Sequence, residues 1–256
     1  MAGKTISVSD ASPPLSDRED SDEDTGIDLG LLLKKMNIGP KKKLLVLSLN
    51  GLLVHRDFCR DFARIPKNRT FDGRYGNHLV YKRPFSDDFV RFCFERFEVG
   101  IWSSAIERNV GAVLDIVLGG LRQRLQFVFD QEECTNSGFK ALEKKEKPLF
   151  LKELRTVWLK GFKYSASDTL LIDDKPYKAL LNPPNTGIFP WPYDPNNVDD
   201  NALDPKGELC QYLDGLADAE NVPSYVKENP FGQQAVSPAH PDWEYYSKVL
   251  RSLHRD

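Results

Sequence analysis

Four short runs of uninterrupted apolar residues, each closed by a turn or a polar residue, constrain this chain more than any other feature. They are Leu44–Leu47 within KKKLLVLSLNGLL, Glu98-Val-Gly-Ile-Trp102, Gln126-Phe-Val-Phe129 and Thr169-Leu-Leu-Ile172, with a weaker fifth at Thr186-Gly-Ile-Phe189. A run of strand length that does not alternate with polar residues suits a parallel strand covered on both faces. Helical patterns lie between the runs. In 84–97, Ser86 stands as an N-cap, and Phe85, Phe89, Phe92 and the 93–97 region fall near one face. Further helices are expected at 106–118, 149–158 and 203–216, the last with Leu209, Leu213 and Leu216 spaced four and three. Strands alternating with helices predict an α/β fold, a doubly wound, mostly parallel sheet. The stretch from about 58 to 82 breaks the rhythm. It holds Gly73 and Gly76 in a turn-rich setting and predicts a small β-hairpin insertion, whose aromatics Phe71, Tyr75, His78 and Tyr81 either pack that insertion or line a peptide groove.

The flanks differ in composition. Residues 1–28 carry Pro13, Pro14, several serines and the run from Asp17 to Asp24, too polar to offset the entropy of ordering, and predict a disordered acidic tail. Ser16 and Ser21, with acidic neighbours, are candidate kinase targets. Residues 29–40 form a short lead-in, 41–217 the globular part, and 218–256 a C-terminal helical extension with a last helix at 243–254. A net charge of −3 argues against a nucleic-acid partner. No apolar run approaches the roughly 18–20 residues of a membrane span, and the acidic start resembles neither a secretory signal nor a transit peptide. Cys59, Cys93, Cys134 and Cys210 form no CxxC pair, which disfavours a disulfide framework or zinc site and fits a reducing compartment. Lys34-Lys35 and Lys41-Lys42-Lys43 suit either a basic nuclear signal or a solvated lead-in, so nucleus and cytoplasm both fit.

In a doubly wound sheet the ligand site lies beyond the carboxyl ends of the strands. Those ends are Ser48-Leu49-Asn50-Gly51-Leu52, Trp102-Ser103-Ser104-Ala105 and Ile172-Asp173-Asp174-Lys175-Pro176, with Lys152 between them in Leu151-Lys152-Glu153-Leu154. Asp173-Asp174 offers oxygen ligands to a hard cation such as Mg2+, or caps the next turn. A lysine at a strand end can hold phosphate as a point charge. Each residue alone has a plainer explanation. Together, in this order, they mark a site.

This order resembles the haloacid dehalogenase superfamily. Within it the chain is similar to the small phosphatases of the RNA polymerase II C-terminal domain and their TFIIF-associating CTD phosphatase homology domain. The similarity rests on KKKLLVLSLNGLL, VYKRPF, FEVGIWSSA, LKEL and LLIDDKPYKALLNPPNTG, over roughly residues 41–217. The resemblance implies a haloacid dehalogenase-like Rossmannoid sheet and a first motif, Asp-x-Asp-x-Thr. Its first Asp attacks phosphorus, and its second serves as acid and base. It also implies phosphate binding by Ser103 and Lys152 and a metal pair at Asp173 and Asp174.

The first motif departs from this pattern. Ser48 stands in the nucleophile position, Asn50 in the acid/base position and Leu52 in that of the Thr. A serine hydroxyl is neutral and Asn50 has no proton to exchange, so the covalent route and acid/base catalysis are both expected to be lost. Losing two carboxylates also predicts a Mg2+ site that is weak or absent. Phosphate binding by Ser103, Lys152 and backbone N–H groups is expected to survive. The sequence therefore predicts a catalytically impaired phosphatase-like domain that binds a phosphoprotein or other partner. The alternatives are a slow Mg2+-dependent phosphoserine/threonine phosphatase and a non-catalytic assembly subunit like the family's mitochondrial import receptor. The sequence does not fix the oligomeric state.

Overall fold

A computed structural model describes residues 41–253. The predicted acidic tail, the lead-in and the basic pair at Lys34-Lys35 lie outside the described residues, as does the end of the last helix at His254.

The apolar runs form the centre. Strands β1 (Leu44–Leu47), β5 (Glu98–Trp102), β6 (Val128–Phe129), β9 (Thr169–Ile172) and β10 (Gly187–Ile188) make a five-stranded parallel sheet in the order β10-β9-β1-β5-β6. Both faces are covered, which is why these strands do not alternate with polar residues. Leu45, Leu47, Val99, Ile101, Leu170 and Ile172 pack in one core with helices α1 (Ser86–Arg96), α2 (Glu107–Val117) and α4 (Glu208–Asp218). Leu44, Val46, Trp102 and Leu171 face the other way, onto Leu154 and Val157 of the short helix α3 (Leu154–Leu159). Register then sets the site. Leu47 pairs with Ile101 and with Ile172, so the residues that follow emerge at one level on one edge of the sheet.

Two antiparallel additions flank that edge. The expected hairpin is a three-stranded sheet ordered β2-β4-β3, with β2 (Val54–Phe58), β3 (Gly73–Tyr75) and β4 (His78–Lys82). It begins at Val54, four residues before the expected start. Gly76, at φ 50°, lets β3 turn back into β4. The second addition, β7 (Thr135–Ala141) paired with β8 (Lys144–Leu151), was not expected. It overturns the helix expected at 149–158: Leu149 and Leu151 alternate as the buried face of β8, and helix begins only at Leu154. After residue 218 the chain forms α5 (Val222–Glu228) and α6 (Trp243–Leu253), and Tyr246 and Val249 of α6 pack onto Leu149 and Leu151.

Ser86 is not an N-cap. Phe85 holds that position at φ 63°, and Ser86 enters the first turn with its N–H on the Arg83 carbonyl and its hydroxyl buried without a partner among the described residues. Arg83 anchors this entry. Its guanidinium forms a two-pronged pair with Asp200 at 2.8 and 2.9 Å, and its third nitrogen faces the carbonyls of Gly51, Leu52 and Trp191. Tyr193 N–H also donates to the Gly51 carbonyl at 2.8 Å, so the loop after β1 is held from below and from the side.

Candidate functional site

A cavity of about 550 Å³ opens where the strands of the parallel sheet end. Its floor comes from three strand exits. Ser48 leaves β1 with its N–H on the Ile172 carbonyl, and Ser103 leaves β5 with its N–H on the Phe129 carbonyl. Asp173 and Asp174 leave β9. Gly51 lies beside Asp174 at φ +87°, where a Cβ would overlap the Asp174 carboxylate, so only glycine fits this close approach.

The residues singled out from sequence converge here. Ser48, Asn50, Ser103 and Asp174 line the cavity, and Lys152 and Asp173, both sealed from solvent, lie beneath it. Lys152 Nζ donates to Ser48 Oγ at 3.3 Å, to the Trp102 carbonyl at 2.6 Å and to Asp173 Oδ2 at 2.6 Å. Ser103 Oγ accepts the Ala105 N–H at 3.2 Å. Asn50 is exposed, and its side-chain oxygen accepts from Arg56 Nε at 3.1 Å.

One central participant has no counterpart in the sequence reading. Pro176–Ala179 forms a turn of 3-10 helix that brings Lys178 back over the strand end, where its Nζ lies 3.4 Å from Asp173 Oδ1 and borders the cavity. The Lys178 carbonyl accepts the Lys152 N–H at 2.8 Å, which ties the two lysines together through backbone. A Lys one and four residues after the second strand-end acid is too weak a pattern to be singled out. The walls add cations the sequence did not place: Arg56 from β2, and Lys144 and Lys147 from the unexpected hairpin. His55 stands on β2 with Nε2 3.0 Å from Asp57 Oδ1 and also borders the cavity.

The electrostatics follow from burial and neighbours. Burial alone would raise the Asp173 carboxyl, but the Lys152 and Lys178 ammonium groups and the Lys175 N–H hold it near 2. Burial raises Asp174 to about 6; Lys178 opposes the rise and the adjacent Asp173 adds to it. Burial pushes Lys152 below the usual lysine range against the pull of Asp173. With all three of its N–H groups donated, the Lys152 ammonium has no lone pair to take a proton from Ser48.

The Mg2+ implied by the resemblance finds a poor donor set. Both Asp173 oxygens already accept from lysine groups, Ser48 and Asn50 are neutral, and Asp174 is the carboxylate left on the floor. Among the described residues no cluster of three His, Cys, Asp or Glu side chains is arranged to hold a metal.

The chain is similar to several known proteins. The sequence pattern of the NLI interacting factor-like phosphatases matches residues 43–223. A Dictyostelium discoideum protein described as a probable C-terminal domain small phosphatase is 28% identical over 192 residues, covering 73% of this chain and 55% of that protein. The chain thus spans about half the length of that relative. An FCP1 homology domain-containing protein of Schizosaccharomyces pombe is 25% identical over 204 residues, covering 74% of this chain and 78% of that protein. Two solved structures of the RNA polymerase II CTD phosphatase Fcp1, the first from fission yeast, align at 16% and 18% identity with a TM-score of 0.42, covering 87% and 88% of this chain and 65% of theirs.

Proposed function

This chain belongs to the NLI interacting factor-like phosphatase family, and we propose that it is a member whose pocket binds a phosphorylated protein rather than hydrolysing it. The observation that carries the reading is the state of Ser48. Its hydroxyl sits at the strand end where the family pattern expects an attacking carboxylate, and its side-chain partner is the spent ammonium of Lys152. Among the described residues no base is hydrogen-bonded to it, and Asn50, tied to Arg56, has no titratable proton to give a leaving group. The cavity keeps what phosphate recognition needs: Ser103, a floor backed by buried lysines, and cationic walls.

The test compares hydrolysis of p-nitrophenyl phosphate and a phosphoserine peptide, with Mg2+, by the natural protein and by Ser48→Asp/Asn50→Asp. The natural protein is expected to stay at background and the double variant to gain turnover, with acid/base catalysis alone worth about 10²–10⁴-fold. Natural-protein turnover that survives Ser48→Ala but falls with Asp174→Asn would instead support a slow metal–water phosphatase. Asp174 is the better probe for this, because Asp173→Asn would also strip the partner from two buried lysines.

A further inference from the structure

We infer that the cavity takes a phosphate monoester group without any divalent cation, with the Lys178 ammonium supplying the positive charge that a metal would bring. This rests on the phosphate-binding reading above and adds how the charge of the ligand is met.

Three observations carry it. First, the oxygens a cation would need are taken. Asp173 Oδ2 accepts from Lys152, Asp173 Oδ1 accepts the Lys175 N–H at 3.0 Å and faces Lys178, and the Asn50 oxygen accepts from Arg56. Second, a divalent ion reaching Asp173 would meet two ammonium groups there, and like charges at such separations in a buried setting repel strongly. Third, the same geometry suits an anion. Among the described residues, Lys178 pairs with the Asp173 carboxylate at 3.4 Å, which leaves N–H groups for the cavity it borders. Lys175, Lys144, Lys147 and Arg56 border the same space against two carboxylates, Asp174 and Glu143, and Glu143 accepts from Tyr177 Oη at 2.8 Å.

The experiment titrates the full chain with inorganic phosphate by calorimetry, once in excess EDTA and once in Mg2+. Affinities that agree within about twofold are expected. Lys178→Met is expected to weaken binding about tenfold and Lys178→Arg to restore most of it, because the charge and not the lysine shape is needed. Binding that vanishes in EDTA and returns with Mg2+ overturns the inference while leaving the phosphate-binding reading standing. Binding in neither condition overturns both. An unchanged affinity in folded Lys178→Met overturns the role given to Lys178. If Lys178→Met does not fold, the EDTA comparison on the natural protein, together with Mn2+ alone followed by electron paramagnetic resonance, still decides. Tight Mn2+ uptake without phosphate overturns the inference, and none supports it.

Discussion

Two buried charged clusters among the described residues are balanced differently. Arg83 and Asp200 are one cation and one anion, with side chains 2% and 7% exposed. The remaining nitrogen of Arg83 is spent on backbone carbonyls, so the pair closes on itself and offers a ligand nothing. Under the cavity, one fully buried carboxylate, Asp173, serves two ammonium groups, one of which also touches the Ser48 hydroxyl and the other of which reaches open space. Buried ions need partners in either case. The difference teaches that stoichiometry separates a clasp from a binding floor: a closed pair holds chain segments together, whereas surplus charge waits for a counter-ion.

The contrast breaks most violently at Asp173. Asp173→Ala removes the carboxylate that both lysines contact and leaves Asp174 as the remaining acid of the floor, and the loss in urea unfolding should reach the roughly 3–5 kcal/mol typical of breaking a buried pair. Arg83→Met should cost about 3 kcal/mol, and Arg83→Met/Asp200→Leu should recover most of it, as apolar replacement of a closed pair often does. The parallel change Lys152→Met/Asp173→Leu should also recover stability relative to Asp173→Ala, yet abolish phosphate binding. If it leaves binding intact, the two clusters do not differ in the way argued.

A smaller effect comes with pH. The folded pKa of Asp173 lies below its unfolded value, so its stabilisation, about 2 kcal/mol, is present above about pH 4 and lost as pH falls towards 2. Asp174 has the opposite sense. Its folded pKa is raised to about 6, so its contribution is present below about pH 4 and lost as pH rises through 6. Unfolding midpoints across this range should therefore rise and then fall, and Asp174→Asn should flatten the upper limb alone. The smallest expected change is on the walls. Lys144→Gln/Lys147→Gln should move stability by no more than about 0.5 kcal/mol, while weakening phosphate two- to threefold at low salt and hardly at all at high salt.

What was legible in the sequence follows from how each element is buried. β1 and β9 are covered on both faces, so LLVL and TLLI announce themselves without knowledge of their neighbours. The strand-end residues were legible for the same reason, because the ends of such runs fix where the chain emerges. The β7–β8 hairpin was not legible. Residues 145–148 of β8 are exposed and include Lys145 and Lys147, and its apolar residues Leu149 and Leu151 are covered by distant segments, among them α6 about a hundred residues later in the chain. Lys178 was hidden because its position depends on a 3-10 turn, which leaves no periodic trace.

That late completion has a consequence at the pocket. Tyr246 and Val249 cover Leu149 and Leu151, Tyr245 packs edge-on to Phe139, and the Tyr245 hydroxyl donates to the Lys140 carbonyl. The hairpin thus leans on the final helix as a door leans on its jamb, and Lys144 and Lys147 ride on the door. A chain clipped before Trp243 would keep every residue that borders the cavity and still uncover Leu149 and Leu151, so α6 bears on how tightly the mouth is framed.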